Sequence, residues 1–349
     1  MTPNDGAACW PAYHLPVVSL HVVAIAKEAI VLPPHPGSAL RGTFGHALRA
    51  SACLVRTRGA PCETCVENAQ ARAEERETRC VYGYVFDTPR PPASRSLKGQ
   101  QEAPHPYVIR PETMVSGRMV AGDRFAFTVQ LFGHAIAHAS IVAEACVRMG
   151  QLGLGAGRGT LTVVEVREQP VFERRVGSLS TTALPVDAWE AALVLTDDVV
   201  DAGTSVVVDF LTPTRITSDK QPVVRPEFGV VVRAVLRRLH LLAAFHGGSA
   251  PLDYFADLMA HTDDVCLAPW RGQWEEWERF STRQERRMTF GGFIGSAVYQ
   301  GNVRPYLPYL LYGQAVHLGK WCTFGCGQYR VAGDDIDRSR VAPAAIVAQ

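Results

Sequence analysis

From Phe125 to Val166 the chain reads FAFTVQLFGHAIAHASIVAEACVRMGQLGLGAGRGTLTVVEV. Apolar positions alternate first, then fall at helical spacing, then stop at a run of glycines before a last alternating segment. That pattern predicts strand, helix, glycine-rich loop, strand. A second stretch, Gly291 to Val331, predicts the same order: GGFIGSAVYQGNVRPYLPYLLYGQAVHLGKWCTFGCGQYRV. The glycines of the two stretches align without a gap. Gly133 pairs with Gly301, Gly157 with Gly325 and Gly159 with Gly327, each pair 168 positions apart. A repeated half-unit of this kind implies two related α+β domains in tandem.

The remaining elements fit that plan. Residues 15–33 are β-rich and predict one long first strand. In HPGSALRGTFGHALRASACLV, Leu40, Phe44, Leu48 and Ala52 recur every four residues and mark one helix face, with Ser38 as its N-cap. Residues 58–106 follow neither period. A return strand, PYVIRP, precedes the first half-unit. The second domain opens with the strand TSVVVDFLTPTRI. A helix follows in which Val231, Val235, Leu239 and Leu242 share a face, and a further helix lies around Leu252 to His261. In WRGQWEEWERFSTRQERRM, Trp270, Trp274 and Trp277 have spacings of four and three, which makes one helical face and suggests core packing.

Each half therefore predicts a ferredoxin-like, RRM-like βαββαβ domain. The first covers residues 1–167, with a Cys-rich insertion at 53–106. A connector covers 168–204. The second domain covers 205–332, with its Gly-rich loop at 319–327, and a tail covers 333–349.

Composition narrows the function classes. The 349 residues, 47% hydrophobic and 20% charged, suit two globular domains. No apolar run approaches a membrane span, and the N-terminus has no secretory pattern, so a cytoplasmic location is expected. The net charge is only +1, so any nucleic-acid contact must come from a local patch.

Four cysteines, Cys53, Cys62, Cys65 and Cys80, are spaced C-x8-C-x2-C-x14-C. A Cys-x2-Cys pair can hold two corners of a zinc tetrahedron and the flanking pair the other two. Four thiolates leave no open position, so such a zinc is structural. Four free thiols are the alternative. Cys9, Cys146, Cys266, Cys322 and Cys326 read as free thiols.

GKWCTFGCGQYRV, preceded by GGFIGSAVYQG and RFSTRQ, closely resembles the C-terminal signature of the CRISPR pre-crRNA processing endoribonucleases of the RAMP superfamily. SALRGTFGHALR and the CxxC-bearing insertion resemble a subgroup of them. The resemblance covers most of residues 15–331. It implies two ferredoxin-like domains, binding of the CRISPR repeat hairpin, and metal-independent cleavage on its 3′ side. Such cleavage leaves a 2′,3′-cyclic phosphate and a 5′-OH, and the enzyme retains its product. Other subunits of a CRISPR ribonucleoprotein complex are the expected partners.

On this reading the RNA-binding set is Gly319, Lys320, Thr323, Gly325 and Gly327 in the loop, Arg279 and Arg283 before it, and Arg41 and Arg49 on the first helix. Glycines can bring backbone amides close to a phosphate chain. A tight helix–strand turn requires glycine equally well. Arginines interleaved with aromatics suit RNA. Metal-free cleavage needs proton transfer near neutral pH, for which histidine is the natural group. The resemblance places it on or near the first helix, which points to His46, with His35 and His317 in reserve. The rival reading is a non-catalytic RNA-binding RAMP subunit of a CRISPR effector complex, which shares the same fold.

Overall fold

A computed structural model describes residues 15–53, 80–88, 102–112, 117–169, 205–247, 255–281 and 286–332, with the side chains of 279–281, 286–288 and 332 outside that description. It is a mixed α+β structure built on two four-stranded sheets.

The first sheet contains β1 (Val17–Ala26), β3 (Tyr107–Pro111), β5 (Arg124–Phe132) and β6 (Leu161–Gln169), in the spatial order β3-β5-β1-β6. Every pairing in it is antiparallel. Helices α1 (Gly37–Ala52) and α2 (Ala139–Leu152) supply the apolar layer that covers it. The second sheet contains β7 (Ser205–Thr214), β10 (Val265–Ser281), β11 (Arg286–Gly301) and β12 (Tyr329–Ala332). Its order is β10-β11-β7-β12, again antiparallel throughout. Helices α3 (Phe228–Leu242) and α5 (Leu307–Val316) cover it, with the short α4 (Phe255–Ala260) between them in sequence. Two small ladders, β2 (Ile30–Leu32) with β4 (Gly117–Met119), and β8 (Thr217–Ser218) with β9 (Gln221–Pro222), complete the strands.

The 168-residue offset survives in three dimensions. Helix α2 starts at 139 and α5 at 307, while β6 starts at 161 and β12 at 329, so both pairs are 168 apart. The helix faces are as the spacing predicts. Leu40, Phe44 and Leu48 are fully buried, as are Val231, Leu239 and Leu242, each contributing about 1.5–3 kcal/mol of burial.

Four local expectations give way. The first long strand is two, because the chain turns out of β1 after Ala26, where Lys27 N–H bonds the Thr160 carbonyl. Ser38 does not cap α1. The helix begins at Gly37 on a Pro36 N-cap that makes no side-chain bond, and Ser38 lies inside the first turn. The tryptophan segment is no helix but the 17-residue strand β10. In a strand, Trp270 and Trp274 share one face and Trp277 turns to the other. The strand β6 also runs to Gln169, two residues past the expected boundary at 167.

The two halves share a buried seam. Leu15, Val17, Val108 and Phe132 of the first half belong to the core cluster of the second. Tyr312 Oη donates to the Leu15 carbonyl at 2.6 Å. His246 donates Nε2–H to the Pro104 carbonyl at 2.7 Å, which leaves Nδ1 to accept from Tyr84 Oη at 2.9 Å. Gly133 (φ +55°) lies so close to His246 that an added Cβ would stand 1.8 Å from its carbonyl oxygen. No helix among the described residues is long and apolar enough to cross a membrane.

Three seam histidines are held neutral. Burial, followed by the fields of Arg41 and Arg238, lowers His105 to about 3. Burial lowers His246 to about 4 and, with Arg110, His317 to about 3. Each binds a proton on unfolding wherever the pH lies below its ordinary value near 6.5 and above its folded one. Their stability contribution is therefore complete above about pH 6.5 and is lost as pH falls, by up to about 1.4 kcal/mol per pH unit each. Urea unfolding followed from pH 7.5 to pH 5 should show this decline, with proton uptake on unfolding. A stability that stays flat or rises on acidification contradicts the buried placement.

Candidate nucleic-acid interface

The loop from Leu318 to Gln328 leaves α5, crosses to the first half and returns into β12. Its own bonds hold it shut. Leu318 N–H bonds Gly327 O at 3.0 Å, Phe324 N–H bonds Trp321 O at 2.9 Å, and Gly325 N–H bonds Cys322 O at 2.8 Å. Lys320 and Gly327 N–H bond the carbonyls of Arg215 and Pro213 at 2.9 and 3.1 Å. Thr212 Oγ1 donates to Gly325 O at 2.8 Å and accepts Gln328 N–H at 2.9 Å.

The glycines here answer a packing demand. Gly319, Gly325 and Gly327 have φ of +83°, +79° and +72°, and an added Cβ at Gly327 would stand 1.8 Å from Leu318 O. The amides of Gly325 and Gly327 are committed inside the protein and are not free for phosphate. Of the two readings that the glycines left open, the tight turn describes their geometry.

The loop's outer side carries the chemistry. Trp321 is held in the left-handed region (φ +64°, ψ +25°), a conformation costly for a bulky residue. Its half-buried indole lies 4.3 Å from Phe290 and 6.4 Å from Trp277, and Phe324 lies 5.9 Å from Phe290. The Arg215 guanidinium lies 5.2 Å from the Trp274 ring and 5.9 Å from the Trp321 ring. The Arg41 guanidinium lies 5.1 Å from Phe324 and 4.4 Å from Phe86. His35 stacks on Trp277 at 4.2 Å and its Nε2 meets Glu275 Oε1 at 2.9 Å. Lys320 is exposed beside them. Aromatic faces interleaved with cations form the surface that single-stranded RNA uses for stacking and phosphate contact.

The structure thus brings together Arg41, Lys320, the loop glycines and His35. It places Thr323 largely inside the loop, at 9% exposure. Arg279 lies on β10 with its side chain outside the described residues, and Arg283 lies outside them altogether. His46 is exposed on the solvent face of α1 with Gly42 below it and Ala50 above. It stands about 140° around the helix from Arg41 and on the same side as the half-buried Arg49, three residues on. His317 is buried, donating Nδ1–H to the Cys326 carbonyl at 3.0 Å. Burial raises the Cys322 and Cys326 thiols, so both are structural and unreactive. Arg215 and Trp321 had no signal in the sequence as contact residues. The three tryptophans were visible, but a helical period assigned them all to the core.

The insertion is rooted at Cys53, which follows α1, and at Cys80, whose Sγ accepts Gly83 N–H at 3.4 Å. Cys62 and Cys65 lie outside the described residues. Among the described residues no group of three or more His, Cys, Asp or Glu side chains is placed to hold a metal.

Residues 208–329 match the family model described as CRISPR-associated endoribonuclease Cas6. Residues 15–184 match a second model described as an N-terminal domain. No curated protein matches the chain. Among solved structures, a product complex of Thermus thermophilus Cas6 aligns with a TM-score of 0.52 at 14% identity, over 90% of this chain and 99% of that one. A chain of a partial Cas6-RT-Cas1–Cas2 complex aligns with a TM-score of 0.57 at 12% identity, over 92% of this chain and 46% of that longer one. At such identities the likeness is one of fold. The matched Cas6 segment contains the whole Gly-loop.

Two glycines of α1 test how the loop is docked. An added Cβ at Gly37 would stand 1.8 Å from Phe324 O, whereas Gly42 has nothing within 4 Å. Gly42→Ala should stabilise the protein by about 0.5–1 kcal/mol. Gly37→Ala should destabilise it by about 1–3 kcal/mol. Equal stabilisation by both, in denaturant titrations, would mean that the loop does not rest on α1.

Proposed function

We propose that this protein is a CRISPR repeat-RNA endoribonuclease of the cytoplasm that cuts pre-crRNA without a catalytic metal and keeps its hairpin product. The observation that carries this reading is the Cas6-matched loop, set between the two halves and faced with aromatic and cationic side chains. The strand order shared by both sheets supports reading the halves as ferredoxin-like domains. The relatives' assemblies support other CRISPR subunits as partners.

In the proposed reaction a base takes the proton of the 2′-OH, and that oxygen attacks the adjacent phosphorus. An acid protonates the departing 5′-oxygen, giving a 2′,3′-cyclic phosphate and a 5′-OH. Arg41 and Lys320 would balance phosphorane charge, with Arg49, Arg279 and Arg283 as further phosphate contacts. His46 is the proton-transfer residue that the family resemblance implies.

A second reading is favoured by the position of His35. A bond from Nε2–H to Glu275 leaves Nδ1 with the lone pair, as an oriented general base requires. Nine residues of helix, about 13 Å, separate the start of α1 from His46, so the two histidines are alternatives. Single-turnover cleavage of the cognate repeat should fall about 10²–10⁴-fold in His46→Ala, with affinity nearly intact. That loss in His35→Ala alone moves the role to His35. Loss in neither removes histidine from the chemistry.

We also propose that Cys53, Cys62, Cys65 and Cys80 hold one structural zinc that supplies the insertion's fold and takes no part in cleavage. Elemental analysis of protein purified without chelator should find about one zinc per chain. A folded, metal-free protein overturns the proposal.

A further inference from the structure

Edge strand β3 of the first sheet and edge strand β12 of the second face a common cleft of about 190 Å³, lined by Arg110, Gln130, Gln314, His317, Gln328 and Arg330. The groups on its floor are unfinished. Gln130 is 5% exposed, its Oε1 is buried without a hydrogen bond, and its amide makes no bond to any described residue. Reorienting that amide would only exchange an orphaned acceptor for an orphaned donor. A buried unpaired amide is costly, and in a native protein it calls for a partner. Arg110 is half-buried, and its guanidinium makes no hydrogen bond or ion pair to a described residue. Glu112, whose field it feels, is bonded instead to His21 and Thr128. His317 uses Nδ1–H on the Cys326 carbonyl, so its Nε2 is a lone-pair acceptor, and burial keeps the ring neutral.

These groups select a ligand class. The lone pair of His317 Nε2 and the carboxamide of Gln130 match a group that carries both donors and acceptors better than a phosphodiester, which offers no donor. Arg110, and Arg330 at the rim on its bond to Asp209 at 3.0 Å, disfavour a neutral apolar molecule. The volume is below the roughly 300–1,000 Å³ of drug-sized pockets. A flat group with an edge of donors and acceptors, attached to a phosphate, meets every demand. That is a nucleotide. The cleft also adjoins the Gly-loop, since a side chain at Gly325 would meet the Arg110 stem at 3.0 Å.

We propose that this cleft is a single-nucleotide pocket that takes one unpaired nucleotide of the bound RNA, its base on Gln130 and His317 and its phosphate toward Arg110. The assignment of RNA as the source rests on the function proposed above. The pocket itself does not.

The test uses the full-length chain and two probes. Titration with each of the four ribonucleoside 5′-monophosphates, by ligand-detected NMR, should find at least one that binds with Kd below about 1 mM. Gln130→Leu should weaken it by about tenfold or more and Arg110→Gln likewise, while inorganic phosphate fails to compete. Gln130→Leu removes an unpaired buried amide, so it should also raise the Tm of the free protein, which a merely structural glutamine would not do. No binding by any nucleotide, an affinity unmoved by Gln130→Leu, or a lowered Tm overturns the pocket. The second probe is the cognate repeat RNA carrying one abasic position at a time. One position should cost about tenfold in affinity, and that cost should vanish in Gln130→Leu. Nucleotide binding with a flat abasic scan overturns the RNA source and leaves a free-nucleotide site. Repeat cleavage without either effect removes the pocket and leaves the endonuclease standing.

Discussion

The candidate interface depends on one docking event, the approach of the 318–328 loop to the backbone of the first half. A methyl group at Gly37 would stand 1.8 Å from the Phe324 carbonyl oxygen, and one at Gly325 would stand 3.0 Å from the Arg110 Cβ. Interiors this tightly packed shift as units when displaced. The loop's position is therefore set jointly by α1, β3 and β7, and the surface it displays belongs to neither half alone. Arg41 comes from α1, Arg215 follows β7, Trp277 comes from β10 and Trp321 from the loop itself.

Under the proposed function, this arrangement would let a chain with a net charge of only +1 recognise RNA. A large global field is unnecessary where a few guanidinium groups lie on aromatic faces. Cation–π contact orients each guanidinium, and the aromatic rings add area on which bases can stack. Arginine suits this use better than lysine, which lacks a planar face. The left-handed Trp321 fits the same view, since it is strain held at a proposed site by the surrounding packing.

Much of the fold was legible along the chain. The four-residue spacing of Leu40, Phe44 and Leu48, the stripe in α3 and the 168-residue glycine offset all report local periodicity, which sequence carries directly. The tryptophan segment misled because spacings of four and three satisfy a helical face, while a strand needs only parity. Its pairing with β11 decided the matter, and that is a non-local fact. The Gly-loop signature pointed to the candidate interface, but the packing at Gly319 and Gly325 involves the carbonyls of Arg215 and Ile109, which nothing in the local sequence couples to the loop. His35 stood two residues before a helix with no visible partner, because Glu275 lies 240 positions away. The unpaired Gln130 was likewise invisible, since a polar residue in an alternating strand normally means solvent.

The central claim is that this junction cleaves repeat RNA by proton transfer alone. The most direct measurement incubates the purified wild-type protein with its locus's repeat RNA in EDTA and analyses the ends of the products. The account predicts one cut on the 3′ side of the hairpin, leaving a 2′,3′-cyclic phosphate and a 5′-OH at a rate unaffected by the chelator. Tight binding without any cut would contradict it and make the protein an RNA-holding subunit. A cut that EDTA abolishes, leaving a 5′-phosphate, would contradict the chemistry itself.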